Sequence, residues 1–186
     1  MKRLKTKEIK TSLPLMEHFS TIQGEGAHSG SAAYFIRLGG CDVGCTWCDV
    51  KESWPAEAHP QVTIEEMVNF AKQAASDLVV ITGGEPLMYN LDELTASLHE
   101  EAKRCHVETS GTHPLSGDWD WITFSPKRFK KPLDEYYSEA HELKVVINHR
   151  NDLRWAEQHA QKVSDSCRLF LQPEWDQAAQ ILPEIV

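Results

Sequence analysis

Five consecutive residues, Leu78-Val79-Val80-Ile81-Thr82, constrain this chain more than any other stretch. Successive strand residues point to opposite faces, so an apolar run without polar alternation must be covered on both sides. That describes an inner strand of a parallel sheet, with helices as the cover. The chain supplies such helices. Ile64, Met67, Val68, Ala71 and Ala75 share one face of a helix expected over 63–76, and Thr63 with Glu66 forms a capping box at its start. Leu91, Leu94, Leu98 and Ala102 mark a second helix over 91–103, with Asn90 and Glu93 as its cap pair. A third is expected from 152 to about 163. Further strands are expected over 34–38, 105–109, 121–125, 143–147 and 168–171. Trp119 and Trp121 alternate as strand residues that share one face.

Strands that alternate with helices run parallel with helical crossovers. Six strands are too few for a closed eight-stranded barrel, so a partial α/β barrel, open along one side, is the expected fold. The connection after Thr109 is short of helix and trims it further. The 186 residues show no repeat and no linker, and are read as a single domain, 1–186. A net charge of −9 argues against nucleic acid or an acidic membrane as partner. The start MKRLKTKEIK is basic but no apolar segment follows it, and no stretch suits a membrane span. A cytoplasmic location follows as the expectation.

In parallel α/β folds, sites gather beyond the carboxyl ends of the strands. The unusual residues of this chain fall there repeatedly: a cysteine loop after 34–38, Gly83-Gly84-Glu85-Pro86, Glu108-Thr109-Ser110-Gly111, Ser125-Pro126-Lys127 and Gln172-Pro173. The cysteine loop runs Gly39-Gly40-Cys41-Asp42-Val43-Gly44-Cys45-Thr46-Trp47-Cys48-Asp49. Three thiolates in one loop can wrap one small metal centre. A [4Fe–4S] cluster held by three cysteines keeps one iron open for a ligand. A structural zinc needs a fourth ligand, which His59 or Asp49 could complete. The other two cysteines, Cys105 and Cys167, head apolar runs and read as core residues. Beside the loop, Gly83 and Gly84 allow close backbone approach to a ligand, and Glu85 offers an acceptor to a ligand ammonium. The basic run Lys127–Lys131 reads as a solvated face with one inward contact. No paired carboxylates and no nucleophile–base set call for polar acid–base catalysis.

The Cys-x3-Cys-x2-Cys loop, with Trp47 before its last cysteine and the Gly-Gly-Glu-Pro turn after the second strand, resembles the radical S-adenosylmethionine (SAM) superfamily. Phe19-Ser20-Thr21-Ile22-Gln23-Gly24-Glu25-Gly26, Arg37 and Ser125-Pro126-Lys127 narrow the resemblance to the 7-carboxy-7-deazaguanine synthase family, from Phe19 to about Pro173. The resemblance implies a (β/α)6-type barrel. It implies a [4Fe–4S] cluster on Cys41, Cys45 and Cys48, and SAM on its open iron, cleaved to a 5′-deoxyadenosyl radical. It puts SAM against Trp47, Cys48, Asp49, Gly84, Glu85, Ser125, Pro126 and Lys127, with Glu108 and Ser110 as further contacts. Ile22, Gln23, Gly24, Glu25, Arg37 and Thr82 would hold the substrate, a carboxylated tetrahydropterin, with Gln172-Pro173 closing that side. Arg37 suits the carboxylate and Gln23 with Glu25 the pterin edge. The family places a Thr or Ser directly after Cys-Asp to help hold Mg2+. Here Val50 stands there without a hydroxyl, so the Mg2+ site lacks that protein ligand. A flavodoxin- or ferredoxin-type electron donor and a homodimer follow by the same analogy. The rival readings are a glycyl-radical activase, a non-catalytic zinc module and a tRNA-binding protein.

Overall fold

In the computed structural model, which describes residues 11–186, the six expected strands are all present and run parallel. The basic start read above lies outside the described residues. The strands are β1 (Ser12–Ile22), β2 (Ala32–Leu38), β3 (Gln61–Thr63), β4 (Leu78–Gly83), β5 (Arg104–Thr109), β6 (Trp121–Phe124), β7 (Glu142–Ile147) and β8 (Arg168–Pro173). The helices are α1 (Ile64–Gln73), α2 (Asp92–Glu100), α3 (Tyr136–Glu139), α4 (Asn151–Ala160) and α5 (Ala178–Ile185). They surround one open sheet of order β3-β1-β2-β4-β5-β6-β7-β8. From β2 to β8 every neighbouring pair is parallel. No helix lies between β5 and β6, as the trimmed connection requires.

Two strands were not expected. β1 pairs antiparallel with both β2 and β3. Its sequence carries no clean alternation because only Leu13, Pro14 and Leu15 are buried, and Glu17 to Ile22 are exposed. β3 is three residues long, too short to show a period. Helix α5 was also missed; it contains Pro183 and buries only Ile181, so its apolar stripe is thin.

The period of two along each strand sorts the sheet into two faces. Ile36, Leu38, Val79, Ile81, Val107, Phe124, Leu143, Val145 and Ile147 belong to the main core, together with Met67, Leu94 and Leu98 from α1 and α2. The alternate residues turn to the concave face. Ala33, Leu78 and Val80 form a small second core there with Phe35 against it. Leu78, Val79, Val80 and Ile81 are each at most 1% exposed, as their apolar run demands. Cys105 and Cys167 are buried in the main core.

The helix ends depart from expectation for identifiable reasons. The Thr63–Glu66 capping box forms, but α1 stops at Gln73 and Ala75 lies exposed beyond it. Lys103 Nζ takes the carbonyls of Ala74 and Ser76, at 3.1 and 2.7 Å, which draws the chain out of the helix. Asn90 and Glu93 do not form a cap pair; Asn90 Oδ1 accepts from the Asp92 N–H at 2.9 Å instead. α2 ends in a Schellman turn, with Lys103 N bonded to Leu98 O and Ala102 N to His99 O. Ala102 occupies its left-handed position at φ 56. Trp119 and Trp121 do not share a strand face. Trp119 sits in the preceding turn, its Nε1 donating to Ser116 O at 2.7 Å, while Trp121 packs on His28, His106 and His141 inside the concave face.

Two outcomes follow. Ala102→Gly removes a left-handed penalty of about 1 kcal/mol and is expected to raise the denaturant midpoint; an unchanged or lower midpoint would contradict the strain. Burial, together with neighbouring cationic groups, lowers His106 and His159 to about 4. The unfolded chain then binds more protons below pH 6.5, so stability falls as pH drops from 6.5 toward 4, by up to about 1.4 kcal/mol per pH unit for each histidine. Chemical denaturation at pH 7 and pH 5 checks this; a flat profile would refute it.

Candidate active site

The cysteine loop is pinned before any ligand arrives. Gly40 N donates to Ser53 O at 2.6 Å, Cys41 N to Trp54 O at 3.1 Å, and Tyr89 OH to Gly39 O at 2.8 Å. The turn after β4 closes against it from the other side. Gly84 N donates to Leu38 O at 3.1 Å and Glu85 N to Gly40 O at 2.8 Å. A Cβ on Gly84 would lie 2.3 Å from Gly40 O and 2.7 Å from Cys41 Cβ, so no other residue fits there. The glycines thus serve contact between two loops as well as room for a ligand.

Both loops open onto one cavity of about 460 Å³ at the carboxyl ends of the parallel strands. Cys41, Cys45 and Cys48 are on its wall, with Trp47, Asp49, Gly84, Glu85, Ser125 and Lys127. Gln23, Gly24, Glu25, Arg37 and Thr82 are on the same wall, and so are Glu108, Ser110, Gln172 and Pro173. All five strand-end segments singled out in the sequence therefore share this cavity. Two named residues stand apart from it. Ile22 is 64% exposed and does not line the cavity. Pro126 is buried behind Ser125 and Lys127 and is not on the wall either.

The electrostatics change the reading of several side chains. Glu85 is 1% exposed. Its carboxylate accepts from Thr109 Oγ1 (2.6 Å), Ser110 N (2.8 Å), Ser110 Oγ (2.5 Å) and Leu87 N (3.2 Å). Four donors match the four lone-pair sites of a carboxylate, so Glu85 braces β4 to β5 and keeps no free acceptor for an ammonium. Lys127 Nζ donates to Ser125 O at 2.8 Å and to Ser125 Oγ at 2.5 Å, and lies 6.0 Å from the Trp47 ring centre. Burial, reinforced by the Lys144 charge, lowers Lys127 to about 8. Arg37 lines the cavity while its Nε donates to Glu17 Oε1 at 2.7 Å. The bond to Glu17 is made by Nε alone and orients the guanidinium.

Sequence reasoning missed Lys144 and Glu142. Lys144 Nζ lies 2.7 Å from both Glu25 and Glu108. Glu108 also accepts from Gln23 Nε2 at 3.1 Å. Glu142, 2% exposed, accepts from Ala27 N at 2.8 Å and anchors the loop that carries Gln23 and Glu25. A signal was available: both are charged residues at concave-face positions of an apolar strand, and buried charges require partners.

The three cysteines are free thiols. Burial raises Cys41 and carries Cys45 up to about 11, so a bound metal must displace their protons. Among the described residues, the one group of three possible ligands whose atoms all lie within 4.8 Å of one another is His99, Cys105 and Asp120. The three cysteine-loop sulfurs do not all lie within that distance of one another. Four ligands around one zinc, with Zn–S bonds of about 2.3 Å, would draw sulfurs to about 3.8 Å apart. His59, the proposed zinc ligand, is off the wall and bonds Glu52 O at 2.9 Å. Three separated thiols on one cavity fit a multi-iron cluster rather than a single ion.

Residues 35–148 match the radical SAM superfamily. A 7-carboxy-7-deazaguanine synthase of Flavobacterium psychrophilum is 51% identical, over 97% of this chain and 89% of the relative. The synthase of that name from Synechocystis is 50% identical, over 92% of this chain and 82% of the relative. The crystal structure of QueE from Escherichia coli superposes with a TM-score of 0.81 at 32% identity, covering 94% of this chain and 89% of that one. With the thiol triad, the Gly-Gly-Glu-Pro turn and the open parallel barrel in agreement, the chain belongs to the radical SAM superfamily and, within it, to the 7-carboxy-7-deazaguanine synthase family.

Proposed function

We propose that this chain, acting as a single domain, is a radical lyase that converts 6-carboxy-5,6,7,8-tetrahydropterin to 7-carboxy-7-deazaguanine with loss of ammonia. The observation that carries the reading is the shared cavity: the cluster thiols and the Gln23–Glu25, Arg37 and Thr82 wall face one volume of about 460 Å³. A [4Fe–4S] cluster and SAM, which the family carries, supply a carbon radical able to abstract hydrogen from the substrate. Cys41, Cys45 and Cys48 would hold the cluster. Trp47, Asp49, Gly84, Ser125 and Lys127 would hold SAM, with the Lys127 ammonium over the Trp47 face as one cationic anchor. Glu85 acts through its bonds to Thr109 and Ser110 by fixing the wall they share.

On the substrate side, Arg37 offers a planar cation to the carboxylate, and Thr82 stands opposite it on the neighbouring strand in register. Gln23, Glu25 and Glu108 offer acceptors to the ring N–H edge. Residues from β2, β4, β5 and β7 and two loops thereby hold the reacting carbon in one place, which is what hydrogen abstraction needs. In this reading the radical step itself needs no acid–base pair, and the cavity walls hold the substrate in position.

The same reading brings a flavodoxin- or ferredoxin-type electron donor, a homodimer and a cytoplasmic location. No described helix is long and apolar enough to cross a membrane. The activase reading has no support from the named relatives, which are all 7-carboxy-7-deazaguanine synthases.

Anaerobically reconstituted protein, given carboxytetrahydropterin, SAM and a reductant, is expected to release 7-carboxy-7-deazaguanine, read by mass spectrometry. Reduced, cluster-loaded protein that consumes no substrate would defeat the proposal. Position 50 lines the cavity as Val and offers no side-chain oxygen to a hard cation. Omitting Mg2+ is therefore expected to change wild-type turnover by less than about twofold, while Val50→Thr introduces a clear Mg2+ stimulation. Wild-type turnover that collapses without Mg2+ would show that other groups hold the ion.

A further inference from the structure

Lys144 is a nearly buried cation in the cavity wall, on the concave face of β7. Its side chain is 6% exposed, and its Nζ contacts Glu25 and Glu108, each at 2.7 Å. The contacts close a ring. Glu108 Oε1 accepts from Gln23 Nε2 at 3.1 Å, and Gln23 Oε1 accepts from the Glu25 N–H at 3.2 Å. One ammonium thus ties the β1–β2 loop, β5 and β7 together at the place where Gln23 and Glu25 face the cavity.

The charge balance explains why this ammonium matters. Glu25, Glu108 and Glu142 all stand around it, the last 2% exposed on the same face. The other nearby titratable groups are Lys127, held by Ser125, and His28 and His106 beneath the ring. Arg37 is engaged by Glu17. Without Lys144, clustered carboxylates in a low-dielectric site cannot all stay ionised, and one takes up a proton. A protonated carboxyl is a donor as well as an acceptor, whereas a carboxylate only accepts. Burial alone would raise Glu108, yet the Lys144 charge and the bonds from Lys144 and Gln23 outweigh it and hold Glu108 below the usual range. Lys144 itself is raised by the same two carboxylates against the cost of its burial.

We propose that Lys144 is a positioning and specificity residue of the substrate site: it keeps Glu25 and Glu108 together as acceptor-only groups, so that the site selects a ligand whose ring edge offers N–H donors. Such an edge is the amino and ring N–H side of a pterin, so the inference rests on the substrate reading above and deepens it. Lys144 acts through the two carboxylates and not on the reacting carbon.

The test measures equilibrium binding of 6-carboxypterin, a fluorescent compound with the same ring edge and carboxylate, between pH 6 and 8.5. It needs neither cluster nor turnover. Lys144→Met is expected to weaken binding at least about tenfold at pH 7. The ratio of its dissociation constant to that of wild type should shrink as pH rises, because the shared proton leaves. Taking the ratio cancels titration of the ligand and the histidines; Lys127, which the Lys144 charge helps to lower, is removed from the comparison by repeating the ratio in a Lys127→Met background. Lys144→Arg keeps the charge and is expected to restore affinity to within about threefold at all pH values. Cluster content, read from iron and visible absorbance, should be equal in all three proteins.

A ratio near one, or a large ratio that does not vary with pH, overturns the proposal. If Lys144→Met does not fold, the charge-balanced pair Glu108→Gln with Lys144→Met decides instead. Wild-type affinity in that double variant would show that ionised acceptors are not needed, and weakened binding with no pH trend in the ratio supports them. Failure of wild type to bind carboxypterin is a different result: it removes the substrate reading and this inference with it.

Discussion

The contact between Gly84 and the Gly40–Cys41 backbone is the constraint on which the site depends. It lets the turn after β4 lie directly on the cysteine loop, at a distance no side chain permits. Gly40 O is then taken by Glu85 N, and Glu85 reaches across to Thr109 and Ser110 at the end of β5. Three successive strand ends are joined by hydrogen bonds that are short and mostly buried. Buried polar networks of this kind rigidify when every member is satisfied. The thiols therefore sit on a wall whose shape is set by the fold rather than by the metal. Burial raises the Cys41 and Cys45 thiols, which is the complementary cost: it disfavours their thiolates until a cation meets them.

The concave face of the sheet is graded along the strands. At the amino ends, Ala33, Leu78 and Val80 pack against Phe35, while His28, His106 and Trp121 fill the neighbouring space. The middle layer is charged: Glu108, Glu142 and Lys144, with Gln23 and Glu25 brought in by the β1–β2 loop. The carboxyl ends carry the thiols, Ser125 and Lys127. An apolar floor, a paired-charge layer and an open mouth together suit a reactive intermediate that must not meet water. The charged layer survives burial because each member has a partner; removing one would leave an uncompensated charge in low dielectric.

Much of this was legible in the chain itself. The run at 78–82 and the capping box at Thr63 each rest on neighbours a few residues apart, and the structure bears both out; the cysteine loop lies at the strand end where its place in the chain puts it. The strand-end positions of the five polar segments were legible for the same reason, since strand periods and turn glycines are local. Errors arose where tertiary contacts overrode local preference. Lys103 ended α1 before Ala75. Glu85 looked like a free acceptor because nothing nearby in sequence shows Thr109 and Ser110 arriving to fill it.

What the sequence determined alone was the class of fold, the strand-end position of the cysteine loop and the family, because periodicity, spacing and glycine placement are properties of adjacent residues. What only the tertiary structure decided was which charges meet. Glu25 and Lys144 are 119 positions apart, and nothing in either local segment names the other. They pair because the sheet order sets β7 beyond β6 and the β1–β2 loop crosses the concave face beneath them. A buried charge must find a partner, but which partner it finds depends on strand order, and strand order is a global property of the chain.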